Sequence, residues 1–248
     1  MLISEHHADH MEFFSRHGKK LPAAMIVLDA HADTVANEHT ALIRQLFAAG
    51  SFQQAGTLVG NHDWIHPLVP DPVKSLVWIN TINGAPRGNR LEGFFKSTSV
   101  WNSDIQIIAS SIEELRFLDI TGEMLFISID LDFFYHRDHG PEDVPAVLNA
   151  LFSFTSRWQG PVVWAICLSR PWLPDDSYAW TLLERSLQWL SAHPEFSTAE
   201  ITLFNSRRID SSRTAQAIRS EGQEPPLLRE TDAPTHIKAL LRELQEQD

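Results

Sequence analysis

Several residue types that define common protein classes are scarce in this sequence. Cys167 is its single cysteine, which excludes an internal disulfide framework. No apolar run approaches the roughly twenty residues of a membrane-spanning helix. The apolar residues 1–3 give way at once to polar ones, where a signal peptide would continue its apolar core. We therefore expect a cytoplasmic protein without membrane association.

Positively charged residues are also few. Lysine and arginine number 20 against 32 aspartates and glutamates, which gives a formal net charge of −12. This balance disfavours the phosphate contacts on which nucleic-acid binding depends, and it favours cationic ligands. A chain of 248 residues can bury a full core and has a size common for one α/β domain, so we expect a single domain over residues 1–248.

Apolar segments alternate with amphipathic segments along the chain. The strand candidates are residues 2–3, 23–28, 74–79, 105–109, 124–129, 161–167 and 201–204. The helix candidates are residues 9–17, 37–49, 111–117, 144–158, 174–192 and 236–247, and residues 220–234 are typical of a surface connection. This alternation predicts a three-layer α/β/α fold with a mostly parallel sheet, which binds ligands at the carboxyl ends of its strands.

Two acidic clusters follow predicted buried strands. Asp29-Ala30-His31-Ala32-Asp33 comes directly after residues 23–28, and Ser128-Ile129-Asp130-Leu131-Asp132 comes directly after residues 124–127. Because side chains alternate along extended backbone, the acids and the histidine can share a face. Gathering such charges is costly unless a cation lies between them. Helix caps and turns explain one such cluster, but two of matching form predict a shared metal site.

The ligand types indicate the kind of metal. Four carboxylates and an imidazole suit Mn²⁺ or another hard to borderline divalent cation, and they suit thiolate-preferring metals poorly. These candidate ligands are Asp29, His31, Asp33, Asp130 and Asp132. The segment after the first strand is expected to add one more, with His6 as the leading candidate and His7 and His10 as weaker ones.

The two acidic clusters, in this order, resemble the two metal-binding motifs of the arginase and ureohydrolase superfamily. Glu5-His6 and Trp64-Ile65-His66-Pro67 extend the resemblance to an atypical, arginase-like branch of that superfamily. Members of that branch include the peptide arginases, which convert arginine side chains of ribosomally made precursor peptides to ornithine and release urea. The resemblance extends to about Cys167 and is faint beyond it.

The resemblance implies an arginase-like fold, two manganese ions and a role for each ligand. One ion would lie on His6 and Asp33, the other on His31 and Asp132, with Asp29 and Asp130 bridging. Paired metals lower the pKa of a shared water and so supply hydroxide, which would attack the guanidinium carbon. Asp33 would accept a hydrogen bond from this hydroxide and pass the proton to the leaving amine, as general base and acid.

Departures from the ordinary arginase pattern concern the substrate. The Gly-Gly-Asp-His sequence that supplies the first histidine of ordinary arginases is absent, so the role of His6 rests on the atypical branch. The Ser-Gly-Asn stretch that binds the α-carboxylate of free arginine does not follow Asp33. A peptide does not need that anchor, because its α-groups are tied up in amide bonds. We therefore expect an arginine-containing peptide as the substrate.

Residues 60–64, Gly-Asn-His-Asp-Trp, are the leading candidate for a substrate-side loop. In this interpretation His62 is a catalytic proton shuttle and Trp64 is a wall of the pocket. A polar turn with a buried tryptophan explains the same segment equally well. The candidate substrate-binding residues over the whole chain are Asn61, Asp63, Trp64, Ser169 and Glu184.

Two other functions stay open on the sequence. Asp29-x-His31 followed by Gly60-Asn61-His62-Asp63 resembles the calcineurin-like metallophosphatases, which also use two metals. Residues 34–59 contain no aspartate for the block that this family needs in between, and Asp130 and Asp132 are left without a role. The second alternative is a non-catalytic, peptide-binding protein with an arginase-like shell.

Overall fold

The computed structural model describes residues 1–17, 22–84, 106–135, 139–196, 202–204 and 233–245. Its strands are β1 (Leu2–Ser4), β2 (Ala23–Leu28), β3 (Val73–Ile79), β4 (Gln106–Ser110), β5 (Met124–Asp130), β6 (Val162–Cys167) and β7 (Thr202–Phe204). They form one sheet in the order β4-β3-β2-β5-β6-β1-β7, and every pair of neighbours is parallel.

Helices follow most of the strands. They are α1 (Asp9–His17), α2 (Thr40–Ala48), α3 (Phe52–Gly56), α4 (Val144–Thr155), α5 (Asp176–Ser191) and α6 (Thr235–Gln245). Two short 3-10 turns, Leu131–Phe134 and Arg170–Trp172, come directly after β5 and shortly after β6. Both turns lie at the carboxyl edge of the sheet, where the candidate site is found.

The side chains of the central strands point alternately into two cores. In β2, Ile26 and Leu28 lie in one core, whereas Met25 and Val27 lie in the other. The first core is completed by α4, α5 and α6, and the second by α1, α2 and α3. Because helices cover both faces, β2 and β5 are buried along their whole length. The predicted α/β fold with a parallel sheet is thereby confirmed.

One predicted helix is only a 3-10 turn in the structure, and another begins later than predicted. Residues 111–117 form only a 3-10 turn at Leu115–Phe117. Helix α2 begins at Thr40 rather than at Asn37, because the Asn37 side-chain oxygen accepts a hydrogen bond from His39 N (2.7 Å) and closes a turn there. The predicted connection 220–234 lies almost wholly outside the described residues. Within the described ranges, no helix combines the length and the apolar character needed to cross a bilayer.

Candidate metal centre

The carboxyl ends of four neighbouring strands meet in the middle of the sheet. Strands β2, β5, β6 and β1 lie side by side. In register, Asp130 of β5 lies beside Cys167 of β6, which in turn lies beside Ser4 of β1. The segments that leave these strands therefore start next to one another. Ligand sites of parallel sheets are found at this edge.

The His7 ring lies among three carboxylates. Its Nδ1 is 2.7 Å from Asp33 Oδ2, 3.1 Å from Asp29 Oδ2 and 3.2 Å from Asp130 Oδ2. All four side chains are buried. A ring nitrogen carries at most one hydrogen, and neither His7 Nδ1 nor Asp29 Oδ2 has a hydrogen-bond partner of good geometry among the described residues. A cation fits here, because it would accept the lone pairs of the nitrogen and of the carboxylates together.

A second group surrounds His31 on the solvent side of the first. His31 Nδ1 is 3.1 Å from Asp132 Oδ2 and 3.7 Å from Asp29 Oδ1. The backbone nitrogen of His31 donates to Asp29 Oδ1 (2.7 Å) and holds that carboxylate in place. Asp132 is 1% exposed, whereas the His31 side chain is 53% exposed and its ring centroid lies 5.7 Å from that of Trp172. Solvent therefore reaches the centre at His31.

Asp29 belongs to both groups through different oxygens. Its Oδ2 faces His7 and its Oδ1 faces His31. The possible ligand atoms of His7, Asp29 and Asp33 lie within 4.8 Å of one another, as do those of Asp29, His31 and Asp132. Oxygen ligands with one imidazole per group suit divalent cations such as Mn²⁺. The residues therefore fit two ions with Asp29 between them.

Burial makes the charges of this cluster unfavourable unless something balances them. Burial and the neighbouring carboxylates raise the pKa of Asp29 to about 6 and the pKa of Asp132 to about 7. Burial also raises the pKa of Asp33. The Asp132 carboxylate raises the pKa of His31 to about 11. Burial lowers the pKa of His7, but its three carboxylate neighbours outweigh burial and raise it. Without a cation, protons balance the cluster, and a metal would displace them.

Asp33 is held by the loop of residues 60–65. Trp64 Nε1 donates a hydrogen bond to Asp33 Oδ2 (2.8 Å), and Ile65 N donates to the Asp33 carbonyl (3.3 Å). Trp64 is fully buried, and its ring centroid lies 4.8 Å from that of His7. Asp33 has a φ of 47°, which is uncommon outside glycine and persists where surrounding contacts impose it. Trp64 is therefore a support behind Asp33 and does not form the wall of an open pocket.

Asp130 is held by the segment that follows β6. Ser169 Oγ donates to Asp130 Oδ2 (2.6 Å), and Ser169 has the same unusual φ of 47°. The next residue, Arg170, donates from Nε to both carboxylate oxygens of Glu5, at 3.0 and 2.9 Å. Burial raises the pKa of Glu5 to about 7, and the Arg170 guanidinium opposes that rise.

The rear of the His7 ring contacts Ser128. Ser128 Oγ lies 2.7 Å from His7 Nε2 and 2.8 Å from His10 Nδ1. Burial, with the charge of His7 second, lowers the pKa of His10 well below its usual value, so His10 stays neutral. A hydroxyl has one hydrogen and therefore donates to one ring and accepts from the other. When it accepts from His7 Nε2 and the ring is neutral, His7 Nδ1 carries no hydrogen and can bind a cation.

The structure brings five of the six predicted metal ligands together, and these are Asp29, His31, Asp33, Asp130 and Asp132. Among the described residues, the ligand groups contain His7 and not His6. Strand β1 ends at Ser4, and the chain then turns, so that the His6 carbonyl accepts from Asp9 N (3.1 Å) at the start of α1. This turn carries the next ring, that of His7, to the carboxylates. The histidine of the candidate ligand set is therefore corrected from His6 to His7.

The polar residues of the predicted substrate-side loop, residues 60–64, hold the loop in place. Asn61 Oδ1 accepts from Ala8 N (3.0 Å). Asp63 accepts from Gly60 N (2.7 Å) and from Asn37 Nδ2 (3.0 Å). The carbonyl of His62 accepts from Val35 N (3.0 Å), and its side chain is half-buried. Of the two interpretations of residues 60–64, these contacts favour the polar turn with a buried tryptophan.

The contacts of Glu184 lie within α5 and toward α6. It belongs to α5, where it accepts a hydrogen bond from Gln188 (3.1 Å) and lies 3.7 Å from His236 of α6. Sequence reasoning also missed the contacts of Ser128 and the pairing of Glu5 with Arg170. Strand alternation places Ser128 on the same side as Asp130 and was a usable signal. The Glu5–Arg170 pair joins residues 165 positions apart, and no local pattern indicates it.

No protein-family model and no curated protein matches this sequence. A functional conclusion therefore depends on the residues of the centre and their geometry.

Proposed function

We propose that this protein is a hydrolase with a dinuclear Mn²⁺ centre that converts arginine side chains of a peptide to ornithine, with release of urea. The observation that carries the proposal is the pair of ligand groups that share the buried Asp29. Each contains one histidine, His7 in one group and His31 in the other. This pairing on a parallel α/β sheet supports an arginase-like centre, with the two acidic motifs in the same order.

The candidate ligands divide between two ions. His7 and Asp33 would hold one, His31 and Asp132 the other, and Asp29 and Asp130 would lie between them. Bound there, the metal pair would lower the pKa of a water molecule so that it attacks at neutral pH. The ligands also suit iron, cobalt or nickel, and manganese is proposed because carboxylates predominate.

The residues around the ions would position the reactants and move the proton. Asp33 is the group that we assign to proton transfer, because Trp64 fixes one of its oxygens by a 2.8 Å hydrogen bond. Asp33 accepts a proton from the attacking water and returns it to the departing amine nitrogen. The bond between the guanidinium carbon and that nitrogen breaks, so arginine and water become ornithine and urea.

The contacts around the centre support a peptide over free arginine as the substrate. In the segment after Asp33, the Asn37 amide is already engaged, because its Nδ2 donates to Leu58 O (2.8 Å) and to Asp63 Oδ2 (3.0 Å) instead of to a substrate carboxylate. The exposed side of His31 faces solvent beside Trp172. A side chain that enters here would leave its own backbone outside.

The metallophosphatase alternative loses support for a related reason. It requires Asn61 and Asp63 to serve the metals, yet Asn61 accepts from the backbone of Ala8, and Asp63 accepts from the backbone of Gly60 and from Asn37. Asp63 belongs to neither ligand group among the described residues. The hydrolysis of a guanidinium therefore remains the function that the geometry favours.

The test measures urea from Mn²⁺-loaded protein given free arginine or an unstructured arginine-containing peptide. The variant Asp130→Asn with Asp132→Asn removes two ligand charges, and Asp119→Asn, an exposed aspartate, is the matched control. We expect urea from the peptide, retained in the control and lost in the double variant. Urea from neither substrate, although Mn²⁺ is bound, would contradict the proposal and favour a non-catalytic binding protein.

A further inference from the structure

The Glu5–Arg170 pair is a buried ion pair directly beside the centre. The side chain of Glu5 is fully buried and that of Arg170 is 3% exposed. Both oxygens of the carboxylate accept from the guanidinium Nε, at 2.9 and 3.0 Å. Burying two opposite charges is expensive, and apolar residues of similar size often serve stability equally well. The pair therefore calls for an explanation other than stability alone.

Each partner is close in sequence to a residue that contacts Asp130. Glu5 comes two positions before His7, whose Nδ1 is 3.2 Å from Asp130 Oδ2. Arg170 directly follows Ser169, whose Oγ is 2.6 Å from the same oxygen. The ion pair thus joins the two loops that reach Asp130 from the neighbouring strands β1 and β6.

The backbone alone connects these loops weakly. Leu168 N donates a hydrogen bond to the Ser4 carbonyl at 2.9 Å. The next bond along the two loops, from Ser169 N to the Glu5 carbonyl, is longer, at 3.3 Å. Ser169 lies in the left-handed region, which a non-glycine residue adopts only under restraint. A buried, charge-assisted contact in which the Arg170 Nε–H lies between both Glu5 oxygens restrains the two loops and supplies this restraint.

The same segment also contacts the other ligand group. Trp172 ends the 3-10 turn that begins at Arg170, and its ring lies 5.7 Å from that of His31. On its outer side the Arg170 guanidinium lies 3.5 Å from Asp176 and over the ring of Trp180. Glu5 on one side and Asp176 with Trp180 on the other therefore fix the Arg170 side chain, which can in turn restrain Ser169 and Trp172.

We propose that Glu5 and Arg170 are positioning residues, which set the distance of His7 and Ser169 from Asp130 and so form the ion site on the His7 side. The proposal rests on the metal centre of the proposed function. It does not depend on which substrate is hydrolysed.

The test compares two substitutions that separate positioning from charge balance. Glu5→Met with Arg170→Met removes both charges together, so no buried charge is left unpaired. Arg170→Lys keeps the charge but loses the planar fork of donors. Leu244→Ala in α6 is the control for loss of stability alone, because it removes a buried side chain from a helix that packs on α5.

Each protein is titrated with Mn²⁺ by calorimetry and examined by electron paramagnetic resonance. Wild type and Leu244→Ala are expected to bind two ions that give a spin-coupled signal. The double Met variant should bind one ion normally and the second about 10- to 100-fold more weakly, with the six-line signal of an isolated ion. Arg170→Lys should weaken Mn²⁺ binding at the same site. If the double variant does not fold, Arg170→Lys alone tests the positioning role.

Two coupled ions of wild-type affinity in a folded double variant, or in Arg170→Lys, would overturn the positioning role. A wild-type protein that binds no Mn²⁺ would instead overturn the metal centre and the proposed function with it. A wild-type protein that binds two ions but releases no urea would overturn only the guanidinium hydrolysis. The three failures are thus distinguishable.

Discussion

His7 is the residue on which the centre depends most directly. Three carboxylates approach its Nδ1 within 3.2 Å, and Ser128 approaches its Nε2 at 2.7 Å. The ring is therefore fixed from both ends, although it follows a turn and not a strand. Such fixed outer contacts normally tune the affinity of a metal ligand.

Trp64 offers a test of the support behind Asp33. Trp64→Phe removes the indole hydrogen bond but keeps an aromatic ring, and we expect it to lower the free energy of unfolding by about 1–3 kcal/mol. We also expect it to lower Mn²⁺ affinity about tenfold, because Asp33 loses its orientation. Denaturant unfolding and Mn²⁺ titration measure the two effects.

The control is Trp189→Phe, which removes a similar indole bond to Asn149 (2.9 Å) on the other face of the sheet. It should lose stability and keep its Mn²⁺ affinity. Equal Mn²⁺ affinities in the two variants would mean that the Trp64 bond does not serve the centre.

The stability of the metal-free protein should fall as pH rises. The folded pKa values of Asp29 and Asp132, about 6 and about 7, lie above the usual value of 3.8, so the native state holds more protons between about pH 4 and 7. The folded pKa of His31, about 11, lies above the usual value of 6.5. Its stabilising positive charge is therefore lost as the pH rises toward 11, which lowers the stability further at higher pH.

Urea unfolding of chelated protein at pH 5, 7 and 9 measures this dependence. We expect the free energy of unfolding to decrease across the series. We expect added Mn²⁺ to raise that free energy most at pH 9, because the ligands bind metal in their deprotonated forms. Asp29→Asn with Asp132→Asn should flatten the dependence. Metal-free protein that becomes more stable from pH 5 to 9 would contradict the assignment.

At the scale of elements, four strand ends and the segments that follow them create the site. Strands β2 and β5 end directly at the acidic motifs, and their extended backbone brings Asp29 and Asp130 to one edge. The next residues leave strand geometry, through the left-handed Asp33 and the 3-10 turn Leu131–Phe134. The site therefore depends on loops that are restrained by contacts with other loops.

Helix α5 gives a prediction about an acid near the centre that has a local role. Asp175 Oδ1 accepts from Tyr178 N (2.7 Å) as the N-cap of α5. Asp175→Ala should therefore lower the free energy of unfolding by about 1 kcal/mol, and Asp175→Asn by less. Neither should change Mn²⁺ affinity or the KM for an arginine peptide. A tenfold rise in KM without loss of stability would instead indicate a guanidinium-binding acid.

For the whole molecule, the excess of negative charge is the property that acts at long range. A net charge of −12 attracts cationic peptides before contact, and dissolved salt screens that attraction.

We expect kcat/KM for an arginine peptide with lysine flanks to exceed that for one with aspartate flanks, and to fall as NaCl rises from low to physiological concentration. A peptide with serine flanks is the control and should depend less on salt. Equal values for the three peptides at low salt would exclude electrostatic attraction as a part of substrate selection.

Much of the architecture was predictable because it depends on local periodicity. Alternating apolar segments indicate strands and amphipathic helices, so the α/β class and five of the candidate ligands follow from the sequence. The helix predicted at residues 111–117 was wrong, since only Leu115–Phe117 form a 3-10 turn there. Glu184 was named for its charge, yet it pairs with α6.

The sequence by itself therefore determined that two acidic motifs end buried strands of one parallel sheet, because a strand presents its side chains in fixed alternation. The tertiary structure decided which histidine completes the set, since the direction of a side chain after a turn depends on what surrounds it. His7 meets Asp29, Ser128 and Trp64, which come from other elements of the chain. Contacts between residues so distant in sequence leave no periodic signal.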